Sequence, residues 1–435
     1  MFALADVHAS PSRSNPGLLT YIRRLPAQCG RVLRRGLGTV ALLLAGCSTY
    51  PVGNPQALSD CPACAGGIVE LPLLPVASPL AIVEVAIDGR PGYRFLFDTG
   101  AMATVIFRHS RTADLALSAR GEIAISGGGD GPRPTAQVVP GVTLQLGALT
   151  LRDLTVLAVP VDRLGLFASP ELVFVDGIIG NDLWTRFGVE VDTAGGRMRL
   201  HRLGSTELGS GASSTALAVR YDHLFVPVRV TLEPNRDPVT VDLLLDSGDR
   251  GTAHLVADPA RGLVPPSNAV TREARGVQGP SRLVVARSAA VDVAGLRVLN
   301  VPTSFGPEGS EPKEAGAGRI GAGLLSRTRW AVDVRQSRLW LMSEGPTEGR
   351  FEDGSFGLDA VSVGGRLLAL GVQATSPAAR AGFQAGDELI SLDGSAISGS
   401  QQAALDAALQ PRRSLALCWR RLDEVRCATL ARAGP

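Results

Sequence analysis

Two apolar segments of this chain end in the same kind of residue triplet. The run Phe95–Phe97 leads directly into Asp98-Thr99-Gly100, and the run Leu243–Leu245 leads into Asp246-Ser247-Gly248. An ionised carboxylate is costly to bury unless it is hydrogen-bonded or functional, so an aspartate at the end of a buried strand needs an explanation. Turn chemistry would explain one such triplet, because Asp, Thr, Ser and Gly are all common turn residues. Two triplets, each at the end of an apolar strand, favour a pair of carboxylates that work together.

A close carboxylate pair has a definite chemistry. Two carboxyl groups about 3 Å apart cannot both ionise, so they share one proton. The ionised group can accept a proton from a water molecule, and the protonated group can donate to the oxygen of the carbonyl that the water attacks. This chemistry needs no metal or other cofactor, and we expect none. The five histidines show no metal-ligand spacing such as H-E-x-x-H, and no G-x-S-x-G nucleophile motif occurs.

The sequence around each triplet follows one order, which predicts an internal repeat. Alternating strands around a glycine corner are followed by an Ile-Gly segment, a short helical stretch rich in leucine, and a closing hairpin. The glycine of the Ile-Gly segment lies 82 residues after Asp98 in one copy and 75 residues after Asp246 in the other. We therefore predict two homologous all-β lobes, at 77–203 and 216–343, joined by a segment of linker composition.

This arrangement resembles the retropepsin-like aspartic proteases, and the resemblance covers about 260 of the 435 residues. Each lobe of that family carries a D-T/S-G loop, a glycine-rich flap and an apolar segment ending in Gly that frames the loop. The matching parts of the first lobe are Asp98-Thr99-Gly100-Ala101, the flap 125–134 and Ile178-Ile179-Gly180. Those of the second lobe are Asp246-Ser247-Gly248-Asp249, the flap 275–282 and Ile320-Gly321.

The resemblance implies a mainly β fold, in which two tandem β-barrel lobes form a pseudo-dimer within one chain. It implies hydrolysis of a protein or peptide substrate by a water activated between Asp98 and Asp246. The hydroxyls of Thr99 and Ser247 would cross-link the two loops. The glycines that follow them would let the backbone turn tightly and bring amide donors near the carboxylates. Because both lobes lie in one chain, we expect a monomer.

Two residues of the second lobe depart from the family pattern. Asp249 stands where Ala, Ser or Thr is usual, and Arg319 replaces the first apolar residue of the framing segment. A third carboxylate would add negative charge and raise the pKa values of the pair, unless a cation such as Arg250 neutralised it. The alternative function is therefore a catalytically inactive peptide-binding lipoprotein on a protease-derived scaffold.

The N-terminal region predicts export and lipidation. Three arginines precede an apolar run at 36–46 that is too short to cross a bilayer and fits the core of a signal peptide. The run ends in Leu44-Ala45-Gly46-Cys47, which resembles the bacterial lipobox, whose cysteine becomes the lipidated first residue. We predict a signal peptide at 1–47, a flexible tether at 48–76 and periplasmic domains anchored by lipid to a membrane of the bacterial cell envelope. An ordinary signal peptide or an N-terminal anchor with an incidental cysteine is the alternative.

The remaining cysteines are candidates for disulfides, which export permits. Cys61 and Cys64 favour a small local disulfide. Cys418 and Cys427 would lie opposite each other across a hairpin if Leu422-Asp423 formed its turn, and two buried thiols are the alternative. The net charge of +2, without a basic block interleaved with aromatic residues beyond the N-terminus, predicts no nucleic-acid partner.

The sequence pattern changes after residue 350. The order of short motifs in this segment resembles a bacterial PDZ domain, which implies an α+β domain at 351–435. The motifs are Ser376-Pro377-Ala378, Ala381-Gly382-Phe383, Gly386-Asp387, Ile390 and Leu392-Asp393-Gly394. By this resemblance, Phe356-Gly357-Leu358 is the loop that receives the carboxylate of a peptide terminus. A C-terminal or exposed peptide tail would then add as a strand beside it. The alternative is a PDZ domain that serves only as a lid or docking element within the chain.

Overall fold

The computed structural model describes residues 3–4, 68–74, 79–167, 172–307, 316–343, 348–350, 356–372, 376–409 and 414–431. All of them belong to one of the two units into which the chain divides, Met1–Ala5 with Pro55–Pro435. The predicted lipidation site Cys47 and the predicted Cys61–Cys64 pair lie outside the described residues. No helix in the described ranges is long and apolar enough to cross a membrane.

The longest strands of the first lobe largely alternate buried and exposed side chains, as expected for sheets with one buried face, whereas Gly177–Ile179 and Phe187–Asp192 are buried throughout. Its elements are β1 Ala3–Leu4, β2 Ile68–Pro72, β3 Ile82–Ile87, β4 Arg90–Phe97, β5 Val105–Arg108, β6 Glu122–Ser126, β7 Thr135–Leu146, β8 Leu149–Pro160, β9 Gly177–Ile179, α1 Asn181–Trp184, β10 Phe187–Asp192 and β11 Arg197–Arg202. Short 3-10 helices lie at Ser110–Thr112 and Val161–Arg163. Strands β7, β3, β4, β9, β5 and β8 pair in that order, and β7 also pairs with β8, which closes a barrel.

The second lobe repeats this arrangement strand by strand. Its elements are β12 Ser213–Ala216, β13 Ala218–Arg220, β14 His223–Thr231, β15 Val239–Asp246, β16 Ala253–Val256, β17 Val270–Gly276, β18 Gly279–Val293, β19 Leu296–Gly306, β20 Gly318–Gly321, α2 Ala322–Leu325, β21 Arg329–Asp333, β22 Arg338–Met342 and β23 Glu348–Arg350, with a 3-10 helix at Pro259–Arg261. Strands β14, β15, β20, β16, β19 and β18 pair in that order, and β14 also pairs with β18. The predicted mainly β class with two barrel lobes is confirmed.

A six-stranded sheet joins the two lobes, in the order β12-β22-β21-β10-β11-β2. Its central pair consists of β10 from the first lobe and β21 from the second, which run antiparallel. At this junction Glu190 is 1% exposed and accepts hydrogen bonds from Arg199 at 2.7 Å and from Arg329 of the other lobe at 2.6 Å. His201 lies 2.8 Å from its second oxygen.

Part of the segment predicted as a flexible tether is ordered in this sheet. Residues Ile68–Pro72 form strand β2, which pairs with β11 at the edge of the sheet. The alternating burial of its side chains explains the pairing, because Val69 and Leu71 enter the main apolar core.

The 351–435 segment, predicted as a PDZ domain, contains a separate antiparallel sheet. Its elements are β24 Leu358–Val363, β25 Arg366–Val372, α3 Pro377–Arg380, β26 Glu388–Leu392, β27 Ser395–Ala396, a 3-10 helix at Gly399–Gln401, α4 Gln402–Leu409, β28 Ser414–Arg421 and β29 Glu424–Ala431. The strand order is β24-β25-β26-β28-β29, with β27 beside β26. Ser376 caps α3 by accepting a hydrogen bond from the amide of Ala379. Cys418 and Cys427 are directly paired on β28 and β29 and form a disulfide.

Strand β24 contributes to two apolar clusters. Leu358 and Ala360 lie in the core of the C-terminal sheet. Val361, 1% exposed, belongs instead to a cluster made mostly of first-lobe residues, with the partly buried Val363 against it. The two-residue alternation of a strand therefore lets β24 serve the C-terminal sheet and the first lobe at the same time.

Candidate active site

The two predicted catalytic aspartates lie together at the interface of the lobes. Asp98 follows β4 and Asp246 ends β15, and they are 2% and 0% exposed. A Cβ atom on Gly100 would lie 2.6 Å from Oδ1 of Asp246, and one on Gly248 would overlap the carboxyl carbon of Asp98. The backbone of each loop therefore contacts the carboxylate of the other lobe, which only glycine permits.

Thr99 and Ser247 hold the two loops together through reciprocal hydrogen bonds. The Thr99 hydroxyl donates to the carbonyl of Leu245 at 2.6 Å and accepts from the amide of Ser247 at 3.0 Å. The Ser247 hydroxyl donates to the carbonyl of Phe97 at 2.9 Å and accepts from the amide of Thr99 at 3.0 Å. All four bonds are buried, so each hydroxyl satisfies two backbone groups of the opposite lobe that would otherwise lack a partner.

The framing segments lie directly beside the catalytic strands. Strand β9 runs parallel to β4, with Ile178 opposite Leu96, and strand β20 runs parallel to β15, with Arg319 opposite Leu244. Of the remaining framing residues, Ile179 ends β9, Ile320 and Gly321 end β20, and Gly180 precedes α1. A side chain on either glycine would collide with backbone carbonyls of the neighbouring loop, so both framing segments need glycine there.

The environment of Asp98 favours its protonated form. Burial, followed by the negative charge of Asp246, raises the pKa of Asp98 to about 7, although the amide of Gly100 donates to its Oδ1 at 2.8 Å. Both oxygens of Asp246 are buried, and apart from the proton shared with Asp98 they accept no hydrogen bond within the described residues. The pair therefore holds a proton near neutral pH, and Asp246 has lone pairs free for a water or a substrate.

Asp249 is neutralised, and the predicted partner was wrong. Nε of Arg319, rather than Arg250, donates to Oδ2 of Asp249 at 2.6 Å. The same Nε lies 3.6 Å from Oδ2 of Asp246. Burial acts to raise the pKa of Asp249, but the charge and hydrogen bond of Arg319 prevail and lower it to about 2. The two departures from the family pattern thus form one ion pair beside the dyad.

The two predicted flaps are hydrogen-bonded to each other. At the tip of the second flap, the backbone of Gln278 donates to the carbonyl of Gly128 at 2.9 Å and accepts from the amide of Gly131 at 2.8 Å. Its side-chain amide donates to Gly131 at 2.9 Å and accepts from the amide of Gly127 at 3.2 Å. The adjacent Val277, 2% exposed, lies in the apolar cluster of the first lobe. The sequence did not indicate this role of Gln278.

The predicted peptide loop of the C-terminal segment lies outside this site. Phe356 is buried in the core of that sheet, and its carbonyl accepts from the amide of Ala378 at 2.9 Å. Gly357 has a φ of 74°, and Leu358 begins β24. Among the described residues, no group of three or more His, Cys, Asp or Glu side chains could hold a metal ion.

Comparisons with known proteins find a similarity to aspartyl proteases in the first lobe. A family model described as aspartyl protease matches residues 83–183, which include Asp98 and the first framing segment. No curated protein matches the chain. Among solved structures, the aspartic proteinase from Irpex lacteus is similar at 16% identity over 63% of this chain and 97% of that chain, with a TM-score of 0.39. Residues 83–183 are thus similar to an aspartyl protease family.

Proposed function

We propose that this chain is an aspartic endopeptidase that hydrolyses peptide bonds with a water activated between Asp98 and Asp246. The observation that carries the proposal is the burial of these two carboxylates against each other, fixed by the reciprocal bonds of Thr99 and Ser247. Burying two carboxylates together opposes folding, so their juxtaposition calls for a chemical role.

The chemistry follows from the single shared proton. The ionised carboxylate accepts a proton from the water as its oxygen attacks the peptide carbonyl, and the protonated carboxyl donates to the carbonyl oxygen. In the tetrahedral intermediate, a proton then passes to the leaving nitrogen as the C–N bond breaks. Linked flaps would keep bulk water from the closed site, where unscreened charges interact more strongly.

The proposal extends to location and partners. The lipobox at Cys47 supports a lipid-anchored protein of the bacterial cell envelope with periplasmic catalytic lobes. The PDZ-like sequence string after residue 350 supports recognition of a C-terminal or exposed peptide tail near Phe356–Leu358. Such binding would select substrates or regulate cleavage.

The test is cleavage of an unfolded protein substrate from pH 3 to pH 8 by the purified chain in detergent. We expect Asp98→Asn and Asp246→Asn each to lower the rate of cleavage by at least about 10³-fold, because either change leaves a single carboxyl group that cannot act as both general acid and general base. Asp242→Asn is the matched control, since Asp242 lies on the same strand as Asp246 but is half exposed and pairs with Arg220. Absence of cleavage by the folded, unmodified chain at every pH would favour the alternative, a peptide-binding lipoprotein.

A further inference from the structure

The two halves of the candidate site differ at equivalent positions. Ile178 is paired with the residue two positions before Asp98, and Arg319 is paired with the residue two positions before Asp246. The register therefore makes Ile178 and Arg319 counterparts in the two lobes. One lobe places a buried aliphatic side chain beside its aspartate, and the other places a guanidinium there.

The position three residues after each aspartate differs in the same way. In the first lobe it is Ala101, which is fully buried in an apolar cluster. In the second lobe it is Asp249, which binds Arg319 and also accepts from the amide of Gly251 at 2.8 Å. The dyad thus has an apolar side at Asp98 and an ionic side at Asp246. Asp249 fixes the guanidinium in place within 3.6 Å of the Asp246 carboxylate.

We propose that Arg319 is a positioning residue that gives the two aspartates different roles, holding the negative charge on Asp246 and leaving the shared proton on Asp98. The inference rests on the function proposed above, and it states which aspartate accepts a proton and which donates one at each step of the hydrolysis. Asp246 takes a proton from the water as the new C–O bond forms, and Asp98 donates its proton to the carbonyl oxygen. As the C–N bond breaks, Asp246 gives its proton to the leaving nitrogen and Asp98 recovers one from a hydroxyl of the intermediate.

The other titratable groups near Asp246 do not reverse this assignment. His223 on β14 lies near Asp246, and burial lowers its pKa, which favours its neutral form. His254 on β16 contributes to the lowered pKa of Asp249 rather than to that of Asp246. Its Nδ1 lies 2.9 Å from Oγ of Ser304. A neutral His223 adds no charge beside Asp246, and a protonated one would also favour the ionised carboxylate. Within the described part of the chain, Arg319 is the arginine recorded within 4 Å of Asp246.

The test is a carbon-13 NMR titration of the full chain labelled at its aspartate carboxyls, with Asp98 and Asp246 assigned from their Asn variants. In the unmodified protein, we expect Asp246 to ionise at lower pH than Asp98. The double variant Arg319→Ile with Asp249→Ala gives the second lobe the residues of the first and leaves no unpaired charge. We expect it to raise the pH at which Asp246 ionises by about one unit, because an opposite charge at this distance lowers a carboxyl pKa by about 1–3 units.

Three further variants distinguish the effect of the Arg319 charge on Asp246 from a general structural effect of substitution. Asp249→Ala alone leaves the guanidinium unopposed, so the ionisation of Asp246 should move to lower pH, and Arg319→Lys should preserve the order of the two groups. Arg338→Ile removes an exposed arginine that donates to Ser214, and should change neither titration. Earlier ionisation of Asp98 in the unmodified protein, or an unshifted Asp246 in the double variant, would overturn the inference.

The titration requires no substrate, so it tests the role of Arg319 independently of the cleavage assay. Absence of cleavage would defeat the proposed function whatever the order of ionisation. Cleavage with an unshifted titration would defeat the role of Arg319 alone. Where cleavage is present, both limbs of the pH profile of kcat/KM should move upward in the double variant, whereas a purely structural role would lower kcat/KM without moving them.

Discussion

Thr99 and Ser247 show how a single hydroxyl can join two lobes. Each one donates to a carbonyl before the opposite triplet and accepts from an amide within it, so neither loop can shift alone without leaving a buried group unpaired. The carboxylates between the loops are held by this backbone frame. Their close approach is therefore maintained even though their mutual charge opposes it.

The raised pKa of Asp98 predicts a pH-dependent cost in stability. In the native state this carboxyl keeps its proton up to about pH 7, whereas in the unfolded chain it ionises near its ordinary value of 3.8. Between these values the native state binds more protons, so stability falls as pH rises. Asp98→Asn should therefore raise the melting temperature by roughly 5 °C at pH 8 and change it little at pH 4. Thermal unfolding at both pH values measures this, and an equal shift at both would contradict the explanation.

The sequence was sufficient to locate the aspartates but not the neighbour that neutralises Asp249. Two apolar strands ending in the same triplet mark Asp98 and Asp246 because burial of a carboxylate is costly. The partner of Asp249 depends on the parallel register of β15 and β20, which places Arg319 beside it from 70 positions away along the chain. The adjacent Arg250 was the natural choice from sequence alone, because local patterns carry no information about that register.

At the scale of elements, the flaps form a latch between the two lobes. Each flap comes from the barrel of its own lobe, yet the tip of one bonds to the other through both backbone and side chain of Gln278. Under the proposed function, a peptide that is to enter between the flaps must first break these bonds. The latch is thus the element whose opening would limit access.

Gln278→Ala should loosen this latch while preserving the backbone bonds. It removes the two side-chain bonds to the first flap, each worth about 1 kcal/mol, so the flaps should open about thirtyfold more often. Hydrogen exchange measured by mass spectrometry should accelerate at 127–131 and 276–279. Gln145→Ala, which removes a local bond to Gly147, is the matched control and should leave exchange at the flaps unchanged. Acceleration spread evenly over the chain would indicate general destabilisation and contradict the latch.

The repeated order of strands could be predicted because alternation, glycine corners and the Ile-Gly segments are local patterns. The contact between flaps could not, since Gln278 and Gly127 are 151 positions apart and nothing in a glycine-rich loop specifies its partner. Strand β2 was missed for a related reason. Its five residues follow a Pro-rich stretch of tether composition, and its pairing depends on an edge that β11 provides.

At the scale of the whole molecule, the lobes are held together by the shared sheet and by the buried charge of Glu190. Burial acts to raise the pKa of Glu190, but hydrogen bonds from His201, Arg329 and Arg199 lower it to about 2. One of these partners, Arg329, lies on the second lobe. A buried ion that is satisfied from both sides fixes the register of β10 against β21, because any slip would leave the charge unpaired.

Glu190→Gln should destabilise the chain by about 3 kcal/mol at pH 7, because it leaves the facing arginines without their buried anion. The carboxylate contributes stability above its unfolded pKa near 4.5, and that contribution is lost as pH falls towards 2, so the difference at pH 3 should be less than half of that at pH 7. Urea unfolding at pH 7 and pH 3 measures it. Glu70→Gln removes the exposed partner of Arg199 and should cost under about 1 kcal/mol. Equal effects of the two changes would show that burial is not the cause.

The pairing of β10 with β21 inside a single chain has a consequence for how a peptide can lie across the site. In an assembly of two identical chains, a twofold axis copies every substitution, so both aspartates have the same neighbours and a peptide meets the same surface in either orientation. Here the fused halves have diverged, with Ile178 beside one aspartate and Arg319 beside the other. The covalent link thus gives the site a polarity, and under the proposed function the N-to-C direction of a bound peptide becomes something that the protein can distinguish.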